Sequence, residues 1–166
     1  MTTPASVAHG PITQIAWVTD DIGRTEALLH EQFGTGAWTR IPDVHFDREH
    51  SRLRGEPQEF TAHISLAYAG DLQLELIEPV SGRSVHTEFL AGHGPGLHHV
   101  CFEVDDLAAA CARAEAAGIP VLQTGSMMAG EIEFAYVDGS SAGAPYVELA
   151  RIGPQMRAFY DAIRTG

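Results

Sequence analysis

Apolar and polar residues alternate in two similar stretches of the chain, GPITQIAWVTDDI at residues 10–22 and GLHHVCFEVDDL at residues 96–107. In each stretch a short apolar run is followed by two aspartates and then by a segment with helical spacing. Alternation with a period of two is typical of a strand with one buried face, and Asp at a helix N-cap accepts hydrogen bonds from free backbone N–H groups. Each stretch therefore predicts a strand that leads directly into a helix.

The two predicted helices have glycine at their ends. The first is expected over about residues 21–33, ending at Gly34, and the second over about residues 106–117, ending at Gly118. The buried stripe of the first helix is predicted at three apolar positions with helical spacing: Ile22, Leu29 and Phe33.

Each half of the chain also ends in a similar strand, LQLELIEP at residues 72–79 and PYVELARI at residues 145–152, where Glu75 and Glu148 occupy equivalent positions. Between helix and terminal strand, each half has room for two more strands separated by glycine-rich turns. These four strands are predicted near residues 37–41, 61–68, 121–124 and 131–136. The order β-α-β-β-β therefore occurs twice.

This repeat predicts an α+β fold in which two tandem βαβββ modules form one eight-stranded, cupped mixed sheet with flanking helices. The first module spans residues 11–80 and the second residues 97–152. A linker helix is expected within residues 81–96 and a C-terminal helix within residues 153–166. The first and last strands of both modules are expected to meet at the middle of the sheet.

Alternation selects the side chains that face the interior of the cup. Apolar side chains at every second position from Val100 to Val104 are expected to pack under the second helix, so His99 and Glu103 face inward. The neighbouring His98 then lies on the helix side of the sheet or at the mouth of the strand. Replacing His98 is accordingly expected to affect an inner site much less than replacing His99.

Four inward positions offer an imidazole nitrogen, an amide oxygen and two carboxylates: Gln14, Glu75, His99 and Glu148. Each of these residues, taken alone, is most simply explained as a hydrogen-bonded polar side chain in a water-filled cavity. Together they favour a metal site, because unpaired buried charge is costly and this donor set suits a divalent first-row ion. The expected cofactor is one divalent metal, with Zn, Ni, Co, Mn and Fe as candidates.

Composition narrows the range of partners. The 166 residues carry 22 Asp and Glu against 10 Lys and Arg, a formal net charge of −12, which argues against nucleic acid and anionic membranes as partners. No apolar run is long enough for a membrane helix and the first residues do not resemble a signal peptide, so a cytoplasmic location is expected. The two cysteines, Cys101 and Cys111, form no disulfide framework or zinc-ligand spacing.

The motifs GPGLHHVCFEVDDL, LQLELIEP and SVHTEFLAGHG resemble those of the vicinal-oxygen-chelate superfamily, which includes glyoxalase I, extradiol dioxygenases and bleomycin-resistance proteins. The resemblance spans about residues 11–152, is greatest to the group that contains methylmalonyl-CoA epimerase, and implies one such domain over residues 1–166. The ligand positions of the family fall on the four residues that alternation selects. The epimerase normally has His at the position of Gln14, and the set with Gln is similar to that of eukaryotic glyoxalase I. The stretch FAYVDGSSAGAPYVELA also lacks the usual His-Pro-Lys of the epimerase.

The resemblance implies a metal-dependent isomerase, epimerase or lyase that removes a proton next to a carbonyl group. Glu148, at the metal, is the first candidate for the base. The epimerase has a second base before the strand of Glu75, a role for which Glu59 and His63 are candidates here. Glu103 is a further candidate base, although a hydrogen-bonding role at the rim explains it equally well.

The segment at residues 40–57, RIPDVHFDREHSRLRGEP, contains four of the ten arginines. As a loop it is able to receive a phosphate or carboxylate, as an acyl-CoA thioester would require. Pairing of these arginines with the acidic residues of the same segment is the simpler interpretation. The expected partners are a small-molecule substrate, with an acyl-CoA thioester as one candidate, and a second copy of the chain in a homodimer.

Two other functions stay open from the sequence. A metal-dependent dioxygenase of this superfamily would prefer two histidines and one carboxylate around iron, and Gln14 in place of the first histidine counts against it. A drug-binding protein without chemistry would commonly lack the metal ligands, whereas this chain retains all four positions.

Overall fold

The computed structural model describes residues 5–166, and over these residues the chain forms four α-helices and ten strands of one sheet. The helices are α1 (Ile22–Phe33), α2 (Val85–His93), α3 (Leu107–Ala116) and α4 (Pro154–Thr165). The strands are β1 (Ile12–Val18), β2 (Thr39–Phe46), β3 (Ser51–Leu53), β4 (Glu56–Pro57), β5 (Phe60–Ala69), β6 (Leu72–Gly82), β7 (Gly96–Glu103), β8 (Val121–Met127), β9 (Ile132–Asp138) and β10 (Tyr146–Ile152).

The strand order in the sheet is β2-β5-β6-β1-β7-β10-β9-β8-β3-β4. The first strand of each half lies parallel to the last strand of the same half, β1 beside β6 and β7 beside β10, and β1 and β7 pair antiparallel between the halves. The predicted α+β class, the repeated strand order and the meeting of first and last strands at the middle are confirmed.

The sheet has two more strands than predicted, because the segment at residues 40–57 is not a loop. After β2 the chain turns at Asp47, whose side chain accepts backbone hydrogen bonds from Glu49 and His50, and then forms β3 and β4. β2 lies at one edge of the sheet, whereas β3 pairs with β8 near the other edge. This segment therefore joins the two edges and closes the cup.

Aspartate caps begin the two repeated helices as predicted: Asp21 accepts from the N–H of Arg24, and Asp106 accepts from the N–H of Ala109. The predicted buried stripe of α1 is only partly correct. Ile22 is buried, but Phe33 is 74% exposed. Polar contacts in its early turns hold α1 to the sheet, such as the bond from Ser65 to the carboxylate of Glu26, and its last turn is left in solvent.

The apolar core divides between the two faces of the sheet. Under α3, Phe102 of β7 and Val104, directly after this strand, pack against Ala110 and Ala114, as alternation predicts. Inside the cup, aromatic and aliphatic side chains from both halves form a second cluster around Phe60. None of the helices over residues 5–166 combines the length and the apolar character needed to cross a membrane.

Candidate metal centre

A β-bulge in β7 places two adjacent histidines side by side in the interior. Ala16 of β1 pairs with His99 and Trp17 pairs with Leu97, so His98 is an extra residue between these pairs. A bulge re-aims side chains that regular alternation would send to opposite faces. Both imidazoles are buried, and their Nδ1 atoms lie 2.9 Å apart. The expectation that only one of the two histidines faces the interior is therefore wrong.

The four side chains selected by alternation converge on one point. From His99 Nε2, the distance is 2.9 Å to Glu148 Oε2, 3.0 Å to Gln14 Oε1 and 3.6 Å to Glu75 Oε2. The ligand atoms of Glu75, His99 and Glu148 lie within 4.8 Å of one another. These are the types of donor, and the spacing, that a divalent cation requires.

Strand register explains this convergence. Ala16 is the pairing partner of both Glu75 on β6 and His99 on β7. Cys101 is the partner of both Gln14 on β1 and Glu148 on β10. The four donors thus come from two neighbouring rows across the central strands, and the small, fully buried side chain of Ala16 leaves the space between them open.

Hydrogen bonds orient the amide of Gln14 so that its oxygen faces the site. Gln14 Nε2 donates to Gln73 Oε1 at 2.7 Å, and Gln73 Nε2 donates to the Tyr68 hydroxyl at 2.9 Å. This chain of bonds leaves Gln14 Oε1, a suitable metal ligand, directed at His99. Sequence reasoning missed Gln73 and Tyr68, although the inward position of Tyr68 on β5 follows from alternation.

The two carboxylates of the site oppose each other's ionisation. Burial raises the pKa of the Glu75 carboxyl well above its usual range, and the charge of Glu148 raises it further. Burial and these two carboxylates also raise the pKa values of Tyr136 and Tyr160, so both phenols stay protonated at neutral pH. A bound dication would relieve the repulsion between the carboxylates, so the electrostatics fit a metal as well as the donor set does.

The site forms the floor of a cavity of about 420 Å³. One wall consists of side chains of β2 and β5, the other of side chains of β8 to β10, and α4 contributes Met156, Phe159 and Tyr160. The Tyr136 ring lies edge-on to His99, with 5.0 Å between ring centres. Sequence reasoning missed Tyr136 and Tyr160 because an aromatic residue in a strand or helix carries no signal that separates core packing from a site.

Two of the other predicted bases do not reach this cavity. On β5 the residues Phe60, Ala62 and Ile64 line the cavity, so His63 points to the outer face, where its Nδ1 accepts from the N–H of Asp43 at 3.1 Å. Glu59 lies at the surface, 3.5 Å from His45. Glu103 does line the cavity, and it pairs there with Arg157 of α4.

The arginines of the segment at residues 40–57 are largely engaged within the chain. Arg40 forms a bidentate salt bridge with Glu26. Arg54 forms another with Glu88, in which the two N–O distances are 3.0 and 2.8 Å. Arg52 donates to the backbone carbonyls of Arg48, Glu49 and Ser51. The predicted pairing with acidic residues of the same segment is therefore wrong for these three arginines, because their partners are Glu26, Glu88 and backbone carbonyls. Engaged in this way, they are not free to receive a phosphate.

A family model described as the glyoxalase/bleomycin resistance protein/dioxygenase superfamily matches residues 13–136. No curated protein was found to match the chain. The structure is similar to methylmalonyl-CoA epimerase from Mycobacterium tuberculosis, with 19% identity, a TM-score of 0.61 and coverage of 95% of this chain and 97% of that chain.

Two further solved structures are also similar. One is a hypothetical protein from Bacillus halodurans, with 16% identity, a TM-score of 0.59 and coverage of 85% of this chain and 93% of that chain. The other is a variant of Streptomyces coelicolor methylmalonyl-CoA epimerase in complex with 2-nitronate-propionyl-CoA, with 19% identity, a TM-score of 0.59 and coverage of 87% and 95%. At these identities the likeness shows a shared fold.

Proposed function

Because this chain belongs to the glyoxalase/bleomycin resistance protein/dioxygenase superfamily, we propose that it is a metal-dependent isomerase, epimerase or lyase that removes a proton next to a substrate carbonyl. The observation that carries this proposal is the convergence of Gln14, Glu75 and Glu148 on His99 Nε2. These four residues would hold one divalent metal, which when bound polarises a substrate oxygen and stabilises the negative charge that develops on it.

Glu148 is the proposed base. Its carboxylate lies at the floor of the cavity, and it is 8% exposed, so it reaches both the metal donors and a molecule in the cavity. Glu75 approaches the same point from the other side of His99, on β6. A proton removed by one carboxylate and returned by the other would invert the reacting carbon, as an epimerase requires.

The surrounding side chains support this role. Tyr136 and Tyr160 stay protonated and are therefore hydrogen-bond donors toward a developing oxyanion. Apolar side chains dominate the walls, so a substrate that fills the cavity would displace water and strengthen electrostatic interactions at the floor. The epimerase complexes with acyl-CoA ligands support an acyl thioester as one candidate substrate.

The test is proton exchange with metal-loaded protein in heavy water. The protein is reconstituted with Zn, Ni, Co, Mn or Fe(II), its metal content is measured, and 2-substituted acyl thioesters and hemithioacetals are followed by NMR. We expect about one metal per chain and metal-dependent deuterium incorporation into at least one compound. Absence of exchange from every metal form and every compound would contradict the proposal.

Two glutamine variants identify the base. Glu148→Gln is expected to slow exchange by a factor of at least about 100, because an amide is a poor base. The matched control is Glu59→Gln, whose side chain lies at the surface and is expected to leave exchange unchanged. Wild-type exchange in Glu148→Gln with full metal content would assign the base elsewhere, with Glu75 and Glu103 next to be replaced.

The apolar cavity also favours a second candidate function, the binding of a small apolar molecule without conversion. The two functions differ in their dependence on metal. A binding protein would retain its ligand after chelation of the metal and in the His99→Ala variant, whereas the proposed enzyme would lose exchange in both.

A further inference from the structure

The wall of the cavity opposite the metal donors carries only apolar side chains along β2 and much of β5. Alternation on β5 directs Phe60, Ala62, Ile64 and Leu66 inward, and its polar residues His63 and Ser65 outward. A molecule that reaches the floor must therefore lie against hydrocarbon on this side.

The charged side chains that line the cavity leave an excess of negative charge. In the described chain there are five carboxylates and two guanidiniums: Glu75, Glu103, Glu148, Asp71, Asp161, Arg157 and Arg164. A dication at the floor would balance Glu75 and Glu148. Arg157 is paired with Glu103, and Arg164 lies 3.0 Å from both Asp71 and Asp161. Neither guanidinium is left to receive an anion.

The remaining polar groups on the walls are neutral. His86, on α2, lines the cavity between Phe60 and Tyr136 and is 4% exposed, and neither of its ring nitrogens has a hydrogen-bond partner. Burial lowers the pKa of His86 to about 3, so its imidazole is uncharged at neutral pH. Together with the phenol groups of Tyr136 and Tyr160, which also line the cavity, it presents hydrogen-bonding groups without charge.

We infer that the part of the substrate that lies against the cavity walls, beyond the oxygens held at the metal, is an uncharged, mainly apolar acyl or aryl group, with at most a neutral polar group facing His86. The inference rests on the proposed function and specifies its substrate class. It disfavours a substrate with a carboxylate on the part of the acyl group that lies against the walls, because such a carboxylate would be out of reach of the metal and buried against hydrocarbon without a cationic partner.

The test compares thioesters that differ in the acyl group. Binding of 2-phenylpropanoyl and 2-(4-carboxyphenyl)propanoyl thioesters to metal-loaded protein is measured by calorimetry, each as the CoA thioester and as the short N-acetylcysteamine thioester. We expect the phenylpropanoyl compounds to bind at least about tenfold more tightly in both series, since transfer of apolar surface is favourable and a buried unpaired carboxylate is costly. Equal or tighter binding of the carboxyphenyl compounds, or no binding of the phenylpropanoyl compounds, overturns the inference.

A variant with a cation on the apolar wall supplies the control. Ile64→Arg is expected to reduce or reverse the preference by giving the carboxylate a partner. Phe159→Arg, at a cavity-lining position on α4 that is 38% exposed, serves the same purpose should Ile64→Arg fail to fold. An unchanged preference in a folded variant of this kind would show that wall charge does not govern selection and would overturn the inference.

The exchange experiment and the binding experiment together distinguish failure of this inference from failure of the proposed function. Tight binding of the phenylpropanoyl thioesters with no exchange of any compound would leave the substrate class standing and remove the proposed reaction. Exchange of methylmalonyl-CoA together with poor binding of the phenylpropanoyl thioesters would leave the reaction standing and remove the substrate class.

Discussion

At the scale of single residues, the bulge gives His98 a role that regular alternation does not allow. His99 directs Nε2 at the three oxygen donors, and its Nδ1 lies 2.9 Å from His98 Nδ1. A metal-bound histidine usually donates its second ring N–H to a partner, which fixes the tautomer and the ring orientation. In the proposed metal site His98 would be this partner, and the Tyr146 ring stacks on it with 4.4 Å between ring centres.

We therefore predict that His98→Phe lowers metal affinity by about 10- to 100-fold, the range for loss of such outer partners. His98→Asn keeps a short polar side chain near the same place and should recover part of the affinity. The measurement is competition with a chromophoric chelator, together with the visible spectrum of the Co(II) form. The matched control is His93→Ala, an exposed histidine on α2. If His98→Phe bound the metal with wild-type affinity, His98 would have only the minor role that alternation predicts.

A second residue-scale prediction concerns stability against pH. Burial and the nearby His99 lower the pKa of His86 from 6.5 to about 3 in the folded chain. Below pH 6.5 the unfolded chain therefore takes up a proton that the folded chain excludes, so stability falls as pH falls from about 6.5 toward 3. Between pH 7.5 and 5.5 this one group should cost about 1.4 kcal/mol.

His86→Phe tests this sign, because phenylalanine keeps a ring between Phe60 and Tyr136 but does not titrate. Urea unfolding in the presence of EDTA, at pH 7.5 and 5.5, gives the two free energies of unfolding for each protein. The loss on acidification should be smaller in His86→Phe than in wild type by about 1 kcal/mol. Equal losses would mean that His86 is protonated in the folded chain or contributes nothing to the pH dependence.

At the scale of elements, the repeat made the strands at the centre of the sheet predictable. It gave no information about the strands in the segment at residues 40–57. Asp-capped helices and the paired glutamates Glu75 and Glu148 mark equivalent elements in the two halves, so the strands around the site follow from the chain alone. β3 and β4 have three and two residues, too short for an alternating pattern to show.

Two other features depended on tertiary pairing. The bulge at His98 exists only in the register between β1 and β7, which no local pattern encodes. Phe33 has the spacing of a buried residue on α1, but spacing does not tell how far the sheet extends beneath a helix, and the residue is 74% exposed. The candidate bases Glu59 and His63 rested on the resemblance to the epimerase, and the inward set on β5 leaves both outside the cavity.

β3 carries a testable element-scale role, because it joins the two edges of the sheet. Leu53 is 6% exposed and packs in the cluster inside the cup. Leu53→Ala is expected to lower the free energy of unfolding by about 2–4 kcal/mol, through lost apolar contact and a residual cavity. Leu28→Ala, at a leucine of α1 that is 43% exposed, is the matched control and should change it far less. Equal effects in urea unfolding would show that β3 contributes little to closure.

At the scale of the whole molecule, the proposed metal would link the two halves of the chain. Gln14 and Glu75 lie in the first half, and His99 and Glu148 lie in the second, so one ion would bridge strands β1, β6, β7 and β10 at the centre of the sheet. A ligand that binds only the folded state stabilises it by mass action, by about 2.7 kcal/mol at a concentration 100 times the Kd.

Metal saturation should therefore raise the Tm by about 5–10 °C, given the size of the chain. His99→Ala removes the nitrogen donor from the centre of the set and should abolish the rise, whereas His93→Ala, exposed and outside the set, should keep it. Differential scanning calorimetry of apo and metal-loaded forms measures the shift. A rise of the same size in His99→Ala would place the stabilising ion elsewhere on this acidic chain, because a site that bridges both halves through His99 cannot stabilise a protein that lacks it.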